Sequence, residues 1–280
     1  MKWWKCNYLG NLLLIIILLS VVFSVSSVDK GTKKILIITS YAGDSKRVTD
    51  FLGEFDSVAS LKRNKYKYEY LMENMQFRGL SFCNIWPARV KSTLKKHEKE
   101  NISGIILLGQ EAWGTYLGLD TIPDIPFYGC MISENGLIIP DTIKNANYFN
   151  PNAVNTMIVA KKKGRAGGIM NRYDIKKNIE LIQSFYPSVD KIAFLSDNTY
   201  GGLSIQKEFI RIMSESFPKK QMILLDGRIN DVQHIKNQIN KLDKNSAVLL
   251  GTWRVDCTGS YFMQSSAYWS KRVDKIGLIS

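Results

Sequence analysis

The run Lys34-Ile35-Leu36-Ile37-Ile38-Thr39 is short, almost wholly apolar and β-branched. That is the signature of a strand covered on both faces, and such strands belong to parallel sheets packed between helices. The chain repeats the pattern. Tyr66 to Leu71, Ile105 to Leu108 and Ile125 to Cys130 read as further strands. Between them lie three helical stretches. One runs to about Leu61 with Val48, Phe51, Leu52, Phe55 and Val58 on one face. The second spans Asn84 to Lys99 with Pro87 in its first turn, and the third Gln110 to Leu117. Strict β-α alternation of this kind predicts a parallel sheet with helices on both sides.

From Ser133 to Gly168 the alternation fades into Asn, Pro, Asp and Lys, with only Thr156 to Ala160 reading as a strand and Lys161 to Arg165 as a loop. It then resumes. Helices are predicted over Asp174–Phe185, Leu203–Phe217 and Asp231–Leu242, and strands over Lys191–Leu195, Met222–Leu225 and Ala247–Leu250. Residues 258–268 are aromatic and weakly helical, and Lys275 to Ile279 reads as a last strand. The domain reading is therefore an N-terminal α/β lobe over 29–132, a crossover over 133–168 and an incomplete C-terminal α/β lobe over 169–280.

Residues 1–28 have the form of an export signal. Lys2 and Lys5 precede an apolar run from Leu12 to Phe23, and Ser24-Val25-Ser26-Ser27 supplies small residues for cleavage. An uncleaved signal anchor is the alternative, and either outcome places the body outside the cytoplasm, in the periplasm. Cleavage removes two lysines and no acids, lowering the net charge from +13 to +11. The remaining lysines, such as Lys91, Lys95, Lys96 and Lys99, are spread over solvated helix faces, so nucleic acid is not expected as a partner. Cys83, Cys130 and Cys257 match no zinc or redox spacing, and three cannot all pair within the chain. Neither a metal nor a cofactor is expected.

Open parallel sheets gather ligands at the carboxyl ends of their strands. That rule selects Ser40-Tyr41, Gly109-Gln110-Glu111, Gly129 to Ser133, Ser196 to Gly202 and Gly251-Thr252-Trp253-Arg254. Two lobes facing each other across these loops would line a groove with hydroxyls, amides and aromatic rings, suited to a small polar ligand. Plainer roles stand beside this one: Asp197 and Asn198 as helix caps, Trp253 as a packing residue, Glu111 as a partner of the helix dipole. The chain has no Walker loop, no Gly-x-Ser-x-Gly elbow and no Gly-x-Gly-x-x-Gly after its first strand, and its two histidines, His97 and His234, support no triad. The reading is binding rather than catalysis. An exported enzyme using Glu111 and Asp197 as acid and base is a third possibility.

Five strings carry a family resemblance: Lys34 to Tyr41, Leu107 to Trp113, Ile192 to Gly202, Leu224 to Arg228 and Leu249 to Asp256. Together they resemble the extracytoplasmic N-terminal sensor region of hybrid two-component histidine kinases from Bacteroidetes, which is similar to periplasmic solute-binding proteins of the ABC-transporter kind. The resemblance implies two Rossmann-like lobes of the type I periplasmic-binding-protein fold, cut short at the C-terminus. It implies a ligand-sensing module that signals by hinge closure and holds a sugar, amino acid or nucleoside-like molecule. Candidate contacts are Ser40, Tyr41, Gln110, Glu111, Asp197, Thr199, Tyr200, Thr252 and Trp253. A second copy of the chain is carried as a candidate partner. Contact with a membrane is expected only through the N-terminal segment or a span beyond the C-terminus. A free solute-binding protein serving a transporter is the alternative. The chain holds no phosphoacceptor helix and no ATP site, so a kinase activity of its own is not expected.

Overall fold

The computed structural model describes residues 32–61, 67–77, 79–146, 149–260 and 276–278. The signal segment and most of the aromatic stretch 258–268 lie outside the described residues. In chain order the first elements are β1 (Thr32–Thr39), α1 (Lys46–Ser60) and β2 (Lys67–Asn74). A 3-10 turn (Leu80–Ile85) then leads into α2 (Trp86–Lys96), followed by β3 (Ile102–Leu108), α3 (Gln110–Gly118) and β4 (Phe127–Ser133). Next come two short strands, β5 (Asn135–Gly136) and β6 (Val154–Asn155), then α4 (Thr156–Lys163) and β7 (Ala166–Asn171). The remainder is α5 (Ile175–Phe185), β8 (Lys191–Ser196), α6 (Tyr200–Ser216), β9 (Gln221–Asp226), α7 (Val232–Asn240), β10 (Ser246–Leu250) and β11 (Ile276–Leu278).

The strands form two parallel sheets, ordered β2-β1-β3-β4-β7 and β11-β10-β8-β9, with an antiparallel β5·β6 ribbon that falls in sequence between β4 and β7 of the first sheet. The doubly covered strands follow from their composition. In β1, Leu36 and Ile38 face a cluster with Val90, Ala112, Trp113 and Tyr116, while Ile35 and Ile37 face Phe55 from α1 on the opposite side. In β8, Ile192 and Phe194 meet α5 and α6, and Ala193 and Leu195 meet Ile235 and Ile239 of α7. Successive side chains point to opposite faces, so a strand buried on both must be apolar throughout.

Two expectations are corrected. Thr156 to Ala160 is the start of helix α4, not a strand, and Lys161 to Lys163 are its last turn rather than a loop. The Asn155 side chain accepts a hydrogen bond from the Ile158 N–H at 3.1 Å and so caps the helix, while Ala160 is fully buried. An N-cap satisfies an otherwise orphaned amide, and here it outweighs the strand preference of Ile158 and Val159. Asn155→Ala is expected to cost about 1 kcal/mol of stability, read as a lower denaturant midpoint with an unchanged slope. The second correction concerns Ala166 to Asn171, which forms β7 at the edge of the first sheet with Gly168 opposite Gly129. The chain therefore leaves the first sheet after Asn171 rather than at Gly168.

A further apolar cluster joins the two halves. Leu80, Cys83 and Trp86 meet Leu137, Ile139, Ala146 and Phe149 and, from α6, Tyr200 and Leu203. Among the described residues no helix is long and apolar enough to cross a membrane. The cysteines in that range, Cys83, Cys130 and Cys257, are free thiols.

Candidate functional site

In each sheet the strand order reverses around the first strand of its half: β1 lies between β2 and β3, and β8 between β9 and β10. Connections leave such a switch point in opposite directions, and in open parallel sheets ligands bind at the carboxyl ends of the strands there. The loops there are 40–45 after β1, Gly109 after β3, 197–199 after β8 and 251–254 after β10. They are four of the five loops selected from the sequence; the fifth, Gly129 to Ser133, is not a loop but the body of strand β4, paired with β3 and β7.

The first pair is drawn tight. Gly109 has φ 106°, in the left-handed region open to glycine, and a Cβ there would sit 2.6 Å from Ser40 Oγ. Ser40 Oγ in turn accepts the Ala112 N–H at 2.9 Å, so the buried serine ties the β1 loop to the first turn of α3. Tyr41 and Glu111 stand beside it, both half-buried. Burial pushes the Glu111 carboxyl upward, opposed by its own backbone N–H, the Ser40 hydroxyl and the charges of Arg254 and Arg47. Burial, followed by the Glu111 charge, pushes the Tyr41 phenol upward, against Arg47 and Arg254. The Arg47 guanidinium lies 5.5 Å above the centre of the Tyr41 ring.

The second pair is organised by Asp197, which is 0% exposed. Its Oδ1 accepts the Thr199 hydroxyl at 2.5 Å and the Thr252 hydroxyl at 2.8 Å, and its Oδ2 accepts the Arg254 N–H at 2.8 Å. One carboxylate thus ties the β8 loop to the β10 loop. Burial is the largest influence on Asp197 and pushes it upward, while these donors and the Arg254 charge oppose the rise. The expected cap of α6 is Thr199 rather than Asp197 or Asn198: its Oγ1 accepts the Gly202 N–H at 3.0 Å, starting the helix at Tyr200.

The two pairs of loops meet. Gln110 Nε2 is 4.0 Å from the Cβ position of Gly201, and Arg254 acts on Tyr41 and Glu111 across the gap. Gln110 Oε1 is buried without a hydrogen-bond partner among the described residues. Ser40, Tyr41, Gln110, Glu111, Thr199 and Thr252 therefore gather about one place. Three other sequence candidates are placed differently. Asp197 is enclosed by its three donors. Trp253 is half-buried, packed with the β8 and β10 cluster and over Gly227. Tyr200 is 1% exposed, and its hydroxyl both donates to the Leu137 carbonyl at 2.5 Å and accepts the Leu137 N–H at 2.7 Å. It pins α6 to the segment after β5. Nearby, Asn198 accepts the Leu80 N–H through its carbonyl at 3.1 Å and donates through Nδ2 to Ser81 Oγ at 3.0 Å. Arg47 was not singled out from the sequence, and Arg254 only as part of its loop. Their signal was position, one in the first turn after a strand-end loop and the other within one.

A solved structure supplies the fold comparison. The solute-binding protein of an ABC transporter from Rhodopseudomonas palustris HaA2, in complex with p-hydroxybenzoic acid, matches with a TM-score of 0.54 at 11% identity, over 88% of this chain and 61% of that one. The fold is that of periplasmic binding proteins. A similar protein from Rhodopseudomonas palustris BisB5, in complex with 3,4-dihydroxybenzoic acid, matches at 12% identity with a TM-score of 0.49 over the same shares. The chain thus spans about three fifths of the length of these solute-binding proteins. No protein-family model matches the chain, and no curated protein matches it.

Proposed function

We propose that the chain is an exported binding protein that takes a small polar molecule between two α/β lobes and acts outside the cytoplasm as the solute-binding component of a transporter. The observation that carries this reading is the meeting of two switch points, with Gln110 Nε2 4.0 Å from the Cβ position of Gly201. In this reading Tyr41, Gln110, Glu111 and Arg254 touch the ligand, Ser40, Thr199 and Thr252 shape the loops, and Asp197 and Tyr200 hold them in place. The apolar cluster around Leu137, Tyr200 and Leu203 is the seam about which the lobes close. Binding is favoured over acid–base chemistry because both oxygens of Asp197 already accept protein donors. The bound aromatic acids of the two solute-binding proteins support an organic molecule of similar size.

The test is thermal unfolding of the purified protein with sugars, amino acids, nucleosides and aromatic acids. A true ligand raises stability with concentration, by about 2.7 kcal/mol at one hundred times its dissociation constant. No concentration-dependent rise with any class contradicts the reading. The five strings quoted above favour a second reading, a sensor module of a two-component kinase using the same groove. A permease gene beside this one supports the first reading, and a kinase fragment the second.

A further inference from the structure

We infer that the ligand of this groove carries a negative charge, seated between Arg47 at the start of α1 and Arg254 in the loop after β10. The inference rests on the binding reading above. The two arginines come from different sheets and stand on the loops that meet there. Arg47 stacks over the Tyr41 ring, the Arg254 N–H is held by Asp197 in the facing loop, and the charges of both bear on Tyr41 and Glu111. The groove is the place they share. Both side chains are exposed and neither makes an ion pair within 4 Å among the described residues, so each keeps donors for a partner arriving from solvent.

The acids nearby do not cancel them at the opening. Asp197 is turned inward onto Thr199, Thr252 and the Arg254 backbone. Glu111 is the carboxyl on which both arginine charges bear, and burial pushes it toward the protonated form, which weakens its repulsion of an anion. Helices α3 and α6 also begin side by side there, since Gln110 lies against Gly201, and helix N-termini favour negative charge. An anion such as a carboxylate, accepting from Arg254 on one wall and Arg47 on the other, also supplies a bond that draws the lobes together.

The test uses the whole protein and three matched probe pairs at low ionic strength: benzoate with benzamide, glucuronate with glucose, and leucine with leucinamide. Binding is followed by calorimetry and thermal unfolding. The expected result is that any pair that binds does so through its carboxylate member. Arg254→Met and Arg47→Met then each weaken that member by about tenfold or more. Arg165→Met, on an exposed turn away from the groove, leaves it unchanged. Equal binding of a member that lacks the carboxylate, or wild-type affinity in both groove variants, overturns the charge assignment and leaves the binding reading standing. Silence from all six probes, and from the sugars, amino acids, nucleosides and aromatic acids of the thermal test, removes the binding reading and the charge assignment with it.

Discussion

Gly118→Ala is expected to lower the melting temperature by roughly 6 °C or more, the equivalent of about 3 kcal/mol at this chain length. Alanine in place of a helical glycine ordinarily stabilises by about 0.5–1 kcal/mol, because the unfolded chain has less freedom to lose. Here the sign reverses. A Cβ on Gly118 would overlap the backbone carbonyl of Ile139, and one on Gly114, a turn earlier in α3, would overlap that of Leu137. The obstacle is main chain rather than the end of a flexible side chain, and it is anchored because the Ile139 N–H donates to the Gly114 carbonyl at 3.1 Å. Gly53, in the middle of α1, is exposed with nothing within 4 Å of its Cβ position. Gly53→Ala is therefore expected to raise stability by the ordinary amount. Differential scanning calorimetry of both variants checks the contrast, and the same sign at both positions would mean that α3 does not lie against the 137–139 segment.

Asp197→Ala is expected to cost about 2–4 kcal/mol, because two hydroxyls and the Arg254 N–H lose their buried acceptor together. The pH dependence carries its own signature. Burial raises the Asp197 carboxyl above its unfolded value, so between those two values the folded state binds more protons than the unfolded chain. The stability that this group contributes is then greatest at low pH and declines as pH rises through that window. Asp197→Asn has no proton to lose there. The stability of the natural protein minus that of Asp197→Asn should accordingly fall as pH rises from about 4 toward neutrality. Carboxylates held below their ordinary values, such as Glu73 beside Lys96 and His97, slope the opposite way but are common to both proteins and drop out of the difference. Urea unfolding at a series of pH values measures it. A difference that grows with pH would mean that the three donors and the Arg254 charge outweigh burial at Asp197, and the upward direction given for its carboxyl would have to be abandoned.

Strands such as Lys34–Thr39 and Lys191–Leu195 were legible because burial on both faces leaves no freedom for polar residues. The switch-point loops were legible for a related reason, since a parallel sheet fixes which strand ends carry polar turns. Elements whose identity is decided by a single local or tertiary contact were not. Thr156 to Ala160 has the composition of a strand and becomes a helix through the Asn155 cap. Ala166-Gly167-Gly168 has the composition of a linker and becomes strand because Gly168 must pass against Gly129, where a Cβ would lie 2.5 Å from the carbonyl oxygen. Tyr200 is one residue from the groove by sequence, yet its direction is set by Leu137, sixty-three residues away. The convergence of Arg47 and Arg254 needs both sheets in place, and no local pattern encodes it.

The central claim is that the carboxyl ends of the two sheets face one another. Cross-linking measures this directly, with cysteines at Gln110→Cys and Gly201→Cys and a short bis-maleimide. Cys6 and Cys257 are replaced by serine, while burial pushes the thiols of Cys83 and Cys130 up to about 12 and keeps them unreactive near neutral pH. A Thr32→Cys/Lys67→Cys pair, on neighbouring strands of the first sheet, serves as the positive control. The account predicts rapid intramolecular cross-linking of the 110/201 pair, at a rate close to the control and altered by a bound ligand. Efficient reaction of the control with none between 110 and 201 would contradict it.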